Sequence, residues 1–594
     1  MRSARVARGI AGLVGSALLT LHPIVSSAQE AASGTAVAAQ PGATRGPSGG
    51  DIVGYDQIHH PEIGRGGMVV SQNEIATRVG TEILRKGGNA VDAAVAVGFA
   101  LAVTLPRAGN VGGGGYMVVH MAAQGDRPAQ TIAIDYYGQA ARATTPDLLL
   151  DDKGKFDSRK GMSMKGVAIP GTVAGLWEAH RRFGKLKWAS LVEPAIALAA
   201  KGVVLSDDEA QATAARKEVM SRNAAAMAAY FKPDGTPYEV GALFRQPDLA
   251  WTLRQIARHG TDGFYRGPVA ERIAASMKAG GGIIGLQDLA DYRAIVSEPV
   301  WSDYRGYRIA FMPPTSSGVS VAEAMNILEN FPVGDLKWGS AAGLHLLAET
   351  LKISASDRRL VGGGPDWRTP VAGLVSKAYA AERAKLIRPD AVLTAKTLPD
   401  GNPYPFESAD TTHYSVADTE GNAVSNTYTL SASYGAHVVA DGTGVLLNNS
   451  LGNLAWGDRA KEGSATLPVP GKRVGSTITP LIVFRDGRPW IVTGTPGGGY
   501  IVATMVQMLS NVIDHKLNIA EAAQRPRVNQ GGGDAPLELE SGFSPDLADL
   551  LGAKGHKVKP SNTMGSTQSI MVEGDRFLGA ADTRRPDALA AGVR

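Results

Sequence analysis

Thr411, at the start of a predicted β-strand, is a candidate nucleophile. Residues 390–410 show no regular periodicity, and the pattern of a β-hairpin begins at Thr411. A threonine hydroxyl is a poor nucleophile at neutral pH and needs a base. Threonine is also common in strands without catalytic roles.

A glycine-rich turn follows a later predicted strand. The segment TGTPGGG at 493–499 lies between the strand-like WIVT and the helical YIVATMVQMLSNVI. Glycine residues there let backbone N–H groups converge at a helix N-terminus, where they bind negative charge. A phosphate-binding loop would need Lys and Ser or Thr after the glycine residues, but Tyr500 follows. The turn therefore favours an oxyanion hole, and the alternative is a plain strand-to-helix connection.

Two further features concern side chains that could assist a nucleophile. The segment RVGSTITP at 473–480 places Ser476 and Thr477 ahead of a strand, where they could hold a substrate carboxylate or form a hydrogen-bonded turn. His413 lies two residues after Thr411 and faces the same side of the strand. For His413, packing or hydrogen bonding is favoured over general-base catalysis.

The composition indicates a globular chain and excludes several kinds of chemistry. Of 594 residues, 44% are hydrophobic and 20% charged, and the net charge is only +4 without a long basic run, which argues against nucleic-acid binding. The chain has no cysteine, so disulfides, thiolate catalysis and Cys-based zinc sites are excluded. Its 11 His residues include no H-E-x-x-H motif. We therefore expect neither a metal nor a cofactor.

The N-terminus has the pattern of a secretory signal peptide. Basic residues at positions 2, 5 and 8 precede an apolar stretch at 10–21 and the small residues SSA at 26–28. We predict a signal peptide over 1–28, with a buried helix as the alternative, and a flexible lead-in over 29–65. No later apolar run is long enough to span a membrane. A periplasmic or secreted protein is expected.

The pattern between these motifs alternates helices with short strands. MVVS at 68–71 predicts a strand, and an alanine-rich run from Gly88 to Leu105 predicts a helix that can pack closely on a sheet. Four glycine residues at 112–115 then lead into another strand. Residues 170–400 are mostly helical in pattern, and two β-hairpins follow, the second turning at Asp486-Gly487.

Taken together, these motifs resemble the γ-glutamyltransferase family of N-terminal nucleophile enzymes. The resemblance spans about residues 66 to 590 and is carried, in order, by GGNAVDAAVA, AGNVGGGGYM, DTTHYSVADTEGNAVSNTYTL, GVLLNN, STITP, TGTPGGG and MGSTQSI. It implies an α/β fold, a four-layer αββα sandwich. It also implies self-cleavage between Asp410 and Thr411 into a large subunit (66–410) and a small subunit (411–594) that stay associated.

The resemblance also implies roles for individual residues. Thr411 matches the nucleophile and Thr429 the threonine that hydrogen-bonds it. Gly497 and Gly498 match the oxyanion hole. Ser476 and Thr477 match the hydroxyl pair that contacts the substrate α-carboxylate, although the second residue is Thr where Ser is usual.

The chain departs from the family where the substrate is recognised. Tyr137, in DYYG at 135–138, stands where the family carries an Arg that pairs with the α-carboxylate, and a bidentate Arg contact is strong and specific. Asn453 stands where an Asp binds the α-ammonium. Ser450 and Ser431 replace a frequent Gln and Asn. Arg107 or Arg473 could supply the missing positive charge.

Three functions fit this sequence. The first is hydrolysis or transfer of γ-glutamyl groups from small amides or peptides such as glutathione. The second is a sibling amidase or acylase with another acyl group, such as glutaryl, which the changes at Tyr137 and Asn453 favour. The third is a binding protein that has lost catalysis, which the intact set of Thr411, Thr429, Gly497 and Gly498 disfavours.

Overall fold

The computed structural model describes residues 57–364, 367–398, 411–460 and 464–594. The predicted signal peptide, most of the predicted lead-in and Asp410 lie outside these residues. The β-strands are β1 (Glu62–Gly64), β2 (Met68–Ser71), β3 (Gly114–Met121), β4 (Gln130–Asp135), β5 (Val203–Val204), β6 (Leu243–Phe244), β7 (Ile295–Ser297), β8 (Val300–Tyr304), β9 (Tyr307–Phe311), β10 (Gly363–Gly364), β11 (Trp367–Arg368), β12 (Thr412–Ala417), β13 (Ala423–Thr429), β14 (Val439–Ala440), β15 (Val445–Leu446), β16 (Leu481–Arg485), β17 (Arg488–Thr493), β18 (Val528–Gln530), β19 (Leu537–Leu539), β20 (Val558–Pro560), β21 (Gln568–Glu573), β22 (Arg576–Ala581) and β23 (Leu589–Gly592).

Most of the α-helices lie between β4 and β12, as the sequence predicts. They are α1 (Glu74–Arg85), α2 (Ala90–Thr104), α3 (Ser158–Gly161), α4 (Thr172–Phe183), α5 (Trp188–Lys201), α6 (Asp207–Ala214), α7 (Lys217–Met220), α8 (Ala224–Tyr230), α9 (Pro247–His259), α10 (Asp262–Tyr265), α11 (Gly267–Ala279), α12 (Leu286–Asp291), α13 (Gly318–Leu328), α14 (Ala341–Asp357), α15 (Val371–Leu374), α16 (Lys377–Ala384), α17 (Ile501–Ile513), α18 (Ile519–Gln524) and α19 (Leu547–Ala553). None of the helices described is both long and apolar enough to cross a bilayer.

Two seven-stranded sheets form the centre of the molecule. Their strand orders are β23-β2-β12-β13-β3-β4-β7 and β1-β22-β21-β17-β16-β9-β8, and neighbouring strands run antiparallel. Helices α1, α2 and α4 pack on the outside of the first sheet, and α13 and α18 pack on the second. The predicted four-layer αββα sandwich is therefore confirmed.

Both sheets mix strands from before and after the predicted cleavage point. In the first sheet, β12 lies between β2 and β13, and β13 lies in turn against β3. In the second sheet, β16 pairs with β9. The polypeptide on each side of position 411 thus completes the sheets of the other.

Helix α2 shows why the first sheet is so closely covered. All of its residues are buried, and most are Ala or Val, which let the helix lie between the sheet and helices α1 and α5. A capping box at its start, formed by Asn89 and Asp92, satisfies N-terminal N–H groups that burial would otherwise leave unpaired.

The glycine-rich entry to β3 is explained by close backbone contact. A Cβ atom at Gly113 would lie 2.1 Å from the carbonyl oxygen of Thr429, and one at Gly115 would lie 2.5 Å from that of Thr427. Any side chain at these positions would push β3 away from β13. The glycine residues therefore fix the strand that ends at Thr429.

The predicted start of the folded part, near residue 66, is too late. Residues 62–64 form β1, which pairs with β22 near the other end of the chain. The side chain of Asn518 donates to the carbonyl oxygen of His59, which anchors the chain still earlier. So short a strand, paired with a partner over 500 residues away, leaves no local pattern in the sequence.

A buried ionic network supports the loop that carries the glycine-rich turn. Asp582 accepts hydrogen bonds from Arg527 (2.6 Å), Arg584 (3.1 Å) and the N–H of Thr567 (3.0 Å). Burial alone would raise the pKa of Asp582, but the two guanidinium groups hold it below its ordinary value. The network fixes the segment around Thr567, which lies beside Gly497.

We predict that Asp582→Asn lowers the free energy of unfolding by about 3–5 kcal/mol, because it leaves the buried Arg527 without its carboxylate, whereas Arg584 keeps Glu540. Since the folded-state pKa is depressed, the wild-type advantage is present above the ordinary value of 3.8 and shrinks as the pH falls below it. Urea unfolding at several pH values measures both effects.

The control is Asp575→Asn, which removes an exposed ion pair with Arg65. An exposed pair contributes about 0–1 kcal/mol, so this variant should unfold close to wild type. Equal losses in the two variants would contradict the role of the Asp582 network.

Candidate active site

Thr411 and Thr429 meet at the end of the central hairpin. Thr411 immediately precedes β12 and is 3% exposed, and Thr429 ends the adjacent β13. The Thr411 hydroxyl donates to the Thr429 Oγ1 at 3.3 Å, and the N–H of Ser431 donates to the same oxygen at 2.8 Å. The antiparallel register therefore brings together the two threonine residues singled out in the sequence.

The second sheet faces this end of β12. The Ser415 hydroxyl lies 3.2 Å from the carbonyl oxygen of Val492, and the ring of His413 packs so closely on Gly494 that a Cβ there would lie 2.5 Å away. Going back along β12 from Ser415 to His413 thus corresponds to going forward along the other segment from Val492 to Gly494. The same direction leads from His413 toward Thr411 and from Gly494 toward the turn at Gly497.

The turn at Gly497 and Gly498 has the backbone of an anion-binding site. Both residues have positive φ, 129° and 54°, which favours glycine, and the chain then enters α17. Among the described residues, the N–H groups of Gly497 and Gly498 donate no hydrogen bond. Thr495 anchors the turn by accepting from the N–H of Ser566 at 2.9 Å. The geometry suits the predicted oxyanion hole.

A chain of polar contacts leads from the threonine pair to the predicted substrate-binding residues. Ser431 donates to the Asn453 Oδ1 at 3.0 Å. The Asn453 Nδ2 lies 3.4 Å from the Tyr137 hydroxyl and 3.2 Å from the carbonyl oxygen of Gly475. An amide can both accept and donate here, whereas a carboxylate only accepts. The surroundings therefore fit Asn at position 453.

Ser476 and Thr477 follow directly after Gly475 and are buried. The N–H of Ser476 donates to the carbonyl oxygen of Thr315 at 3.1 Å, and its hydroxyl accepts from the N–H of Ile478 at 3.3 Å. Ser450, the further residue that departs from the family, is also buried. Ser476 thus lies in a hydrogen-bonded turn, directly after the Gly475 carbonyl that contacts the Asn453 amide, and Thr477 follows it.

Tyr116 and Thr315 lie at this site, although the sequence did not predict them as site residues. The ring of Tyr116 stacks on Tyr137 with centroids 5.3 Å apart, and its hydroxyl lies 2.6 Å from the Thr315 Oγ1. Burial, and then the nearby Asp135, raises the pKa of Tyr116 well above its ordinary value. Tyr116 lies inside the motif AGNVGGGGYM, so its position was visible, but Thr315 comes from a distant segment without a local signal.

Only one of the two arginine residues considered for the missing charge lies at this site. Arg107 pairs with Asp208 and, at 2.8 Å, with Glu209, so the suggestion that it replaces the family Arg is wrong. Arg473 donates to the carbonyl oxygen of Tyr137 at 2.8 Å and to the Tyr292 hydroxyl at 2.6 Å. Its charge therefore lies directly behind Tyr137.

His413 is held inside the sandwich as a neutral side chain. Its Nδ1 lies 2.8 Å from the Thr427 hydroxyl and its Nε2 lies 3.0 Å from that of Ser415. Burial lowers the pKa of His413 to about 3. Both ring nitrogens thus have hydrogen-bond partners, which supports the packing role favoured from the sequence.

A cluster of possible metal ligands lies elsewhere. His345, Glu349 and His556 bring ligand atoms within 4.8 Å of one another. Both oxygens of Glu349 already accept hydrogen bonds, one from the buried ammonium group of Lys352 at 2.9 Å and one from the N–H of Leu393. A neighbouring ammonium group disfavours a second cation. His345 and His556 instead hydrogen-bond each other at 2.8 Å across the predicted subunits.

Two antiparallel sheets between helical layers, with a buried threonine hydroxyl at the start of a central strand, define the N-terminal nucleophile hydrolase class. A family profile described as Gamma-glutamyltranspeptidase matches residues 76–592. The chain therefore belongs to the gamma-glutamyltranspeptidase family, whose members are enzymes.

Individual relatives include both hydrolases and acylases. The glutathione hydrolase proenzyme of Escherichia coli (strain K12) is 42% identical over 547 residues, covering 90% of this chain and 93% of that protein. The Acylase ACY 1 proenzyme of Pseudomonas sp. (strain V22) is 37% identical over 543 residues, covering 90% and 94%. The crystal structure of cephalosporin acylase from Bacillus halodurans has a TM-score of 0.80 and 27% identity, covering 92% of this chain and 99% of that chain.

We predict that His413→Gln leaves the apparent pKa values of the pH–rate profile unchanged, because a residue with a pKa of about 3 is neutral throughout the working range. The profile of kcat/KM on an anilide substrate measures this. His120→Gln is the matched control, since His120 is also buried and has a pKa of about 4, but lies away from Thr411. A displaced limb in His413→Gln alone would make His413 a general base.

Proposed function

We propose that this chain is a self-cleaving N-terminal threonine amidohydrolase or acyltransferase that cleaves γ-glutamyl-type amide bonds. The observation that carries the proposal is the buried Thr411 hydroxyl, which donates to Thr429 at the end of the central hairpin. The related proteins of Escherichia coli and Pseudomonas are named proenzymes, which supports processing of this chain as well.

Self-cleavage would create the base that the nucleophile needs. The Thr411 hydroxyl attacks the carbonyl carbon of Asp410, its proton passes to the peptide nitrogen, and the C–N bond breaks so that this nitrogen becomes the α-amino group of Thr411. Water then hydrolyses the resulting ester, which frees the Thr411 hydroxyl and leaves Asp410 with a new C-terminal α-carboxylate. In the uncut chain that nitrogen is part of an amide and cannot accept a proton.

Substrate cleavage would use the same atoms. The α-amino group takes the proton of the Thr411 hydroxyl as the oxygen attacks the substrate carbonyl. The N–H groups of Gly497 and Gly498 stabilise the oxyanion. The leaving amine takes the proton from the ammonium group and departs, which leaves an acyl ester on Thr411. Water or a second amine resolves this ester and regenerates the hydroxyl.

A second candidate differs in the acyl group. The Asn453 amide lies near Tyr137 and the carbonyl oxygen of Gly475, where an acyl end without an α-ammonium group fits better than a zwitterionic one. The relative named an acylase and the cephalosporin acylase structure support an acyl group without an α-amino function, such as glutaryl. An inactive binding protein is the remaining alternative.

Export is part of the proposal. The basic and apolar N-terminal residues followed by SSA at 26–28 support cleavage by a signal peptidase and a periplasmic or secreted location. Fractionation of expressing cells tests it, and recovery of the mature enzyme from the cytoplasm alone would contradict it.

We predict that Thr411→Ala runs as a single precursor band on a denaturing gel, because the nucleophile is gone, whereas wild type gives two fragments divided at Thr411. Thr412→Val is the matched control. The neighbouring Thr412 hydroxyl is buried without a hydrogen-bond partner among the described residues, so its removal should leave processing intact. An unprocessed wild type, or a processed Thr411→Ala, would overturn the proposal.

We predict that Tyr137→Arg combined with Asn453→Asp raises the γ-glutamyl over glutaryl preference about 10- to 100-fold, since hydrogen bonds to charged groups contribute about 1.5–3 kcal/mol. Release of p-nitroaniline from the two p-nitroanilides measures kcat/KM, with Thr411→Ala as the blank. Faster γ-glutamyl turnover by wild type would show that other residues hold the zwitterion. An unchanged ratio in the double variant would remove positions 137 and 453 from recognition.

A further inference from the structure

A cavity of about 320 Å³ lies where the two predicted subunits meet. One wall is formed by Lys352 of α14 and by the segment around 392–396, which precede Thr411 in the chain. The facing wall is formed by the turn at 533–535 and by the segment 555–557, which follow Thr411. The proposed reaction uses none of these residues. The polar groups that line the cavity therefore indicate a separate ligand.

The charges that line this cavity are mostly positive. Lys396 and Lys557 are exposed, and within the described residues neither ammonium group forms a hydrogen bond or an ion pair. Asp534 is the carboxylate in the same lining, and it already accepts from the N–H of Ala395 at 3.0 Å. Two unengaged ammonium groups beside an occupied carboxylate favour an anionic ligand.

Lys352 adds a third, buried ammonium group. An ammonium group has three N–H donors. Two of those of Lys352 bind the carboxylate of Glu349 at 2.9 Å and the carbonyl oxygen of Leu393 at 2.7 Å, so one donor remains for a ligand in the cavity that Lys352 lines. The same charge that disfavours a metal ion at Glu349 thus favours an anion next to it.

His556 lines the cavity with one ring nitrogen unpaired. The residue is 7% exposed, and its Nε2 lies 2.8 Å from the Nδ1 of His345. Its own Nδ1 has no hydrogen-bond partner in the part of the chain that the structure describes. Burial, and then His345, Lys352 and Lys554, lower the pKa of His556 to about 4, so its imidazole is neutral at neutral pH. Polar atoms of buried residues are usually paired, so this nitrogen points to a ligand.

The hydrogen bonds of the two histidine residues assign their protons. The Nε2 of His345 lies 2.6 Å from the carbonyl oxygen of Arg388, which only accepts, so Nε2 carries the proton in the neutral form of His345. The Nδ1 of His345 then accepts, and the Nε2 of His556 donates to it. In neutral His556 the remaining Nδ1 is therefore an acceptor. A ligand beside it needs a donor as well as negative charge.

Backbone donors complete the lining. Gly533 and Asp534 face the cavity from the turn, and their N–H groups donate no hydrogen bond to any residue that the structure describes. Successive N–H groups in a turn form concave anion-binding sites. Hydrogen phosphate matches the whole set, because it carries negative charge on its oxygens and keeps one O–H to donate. Sulfate has the same shape but no O–H.

We propose that this cavity binds hydrogen phosphate, whose oxygens accept from Lys352, Lys396 and Lys557 and whose O–H donates to the Nδ1 of His556. The site lies outside the proposed reaction and does not depend on which acyl group is cleaved. Because its walls come from both sides of position 411, bound phosphate holds the two subunits together after cleavage.

Calorimetric titration of the purified protein tests the proposal, with sodium phosphate and sodium sulfate as probes at one ionic strength. Phosphate should bind about tenfold more tightly than sulfate, because sulfate leaves the Nδ1 of His556 without a donor. Lys557→Gln should weaken phosphate binding about tenfold, since a hydrogen bond from a charged group is lost. The matched control is Lys86→Gln, which changes an exposed lysine just after α1, outside the cavity, and should leave the affinity unchanged.

Thermal unfolding gives a second measurement. The midpoint of the wild-type protein should rise with phosphate concentration, because the ligand binds the folded state, and should rise less in Lys557→Gln. Equal affinities for phosphate and sulfate would overturn the proposal, and so would a Lys557→Gln variant that binds phosphate like wild type. Tighter binding of glycerol 3-phosphate than of phosphate would assign the cavity to phosphate esters and overturn it as well.

The uncut precursor separates this proposal from the proposed function. The walls of the cavity are assembled in the intact chain, so Thr411→Ala should bind phosphate as tightly as wild type. A failure of self-cleavage would therefore leave phosphate binding intact. Absence of both binding heat and a midpoint shift in a normally processed enzyme would refute the phosphate site alone.

Discussion

The hydrogen bond between Thr411 and Thr429 depends on the register of one hairpin. Thr411 is placed by β12, Thr429 by β13, and both strands lie in the middle of a sheet that is covered on each face. A shift of one residue would turn the threonine side chains to opposite faces. The glycine residues of β3, the packing of His413 on Gly494 and the ionic network around Asp582 all keep this register and the facing turn in place.

The other end of the site is organised by neutral groups. Ser431, Asn453 and Tyr137 form a connected set in which each group has a donor or an acceptor to match. The charge of Arg473 remains close, but its guanidinium group is occupied by the carbonyl oxygen of Tyr137 and the hydroxyl of Tyr292. The family fold is thus kept, while the predicted substrate-binding positions 137 and 453 carry neutral side chains.

Local patterns in the sequence predicted the elements that carry their own signal. Helix α2, both hairpins and the turn at Gly497 were visible because periodicity, turn residues and glycine are local properties. Strand β1 was missed because its partner β22 lies at the far end of the chain. Thr315 could not be assigned either, since its significance comes from a neighbour, Tyr116, that only the folded chain brings close to it.

The mixing of strands in both sheets changes what a cut at position 411 would mean for stability. Each fragment would lack strands from the interior of both sheets, so neither could bury its own core alone. Separation of the fragments and unfolding would be one event, held back by β12 between β2 and β13 and by the His345–His556 contact. A one-chain equilibrium would become a two-chain equilibrium, and the midpoint of unfolding would then rise with protein concentration.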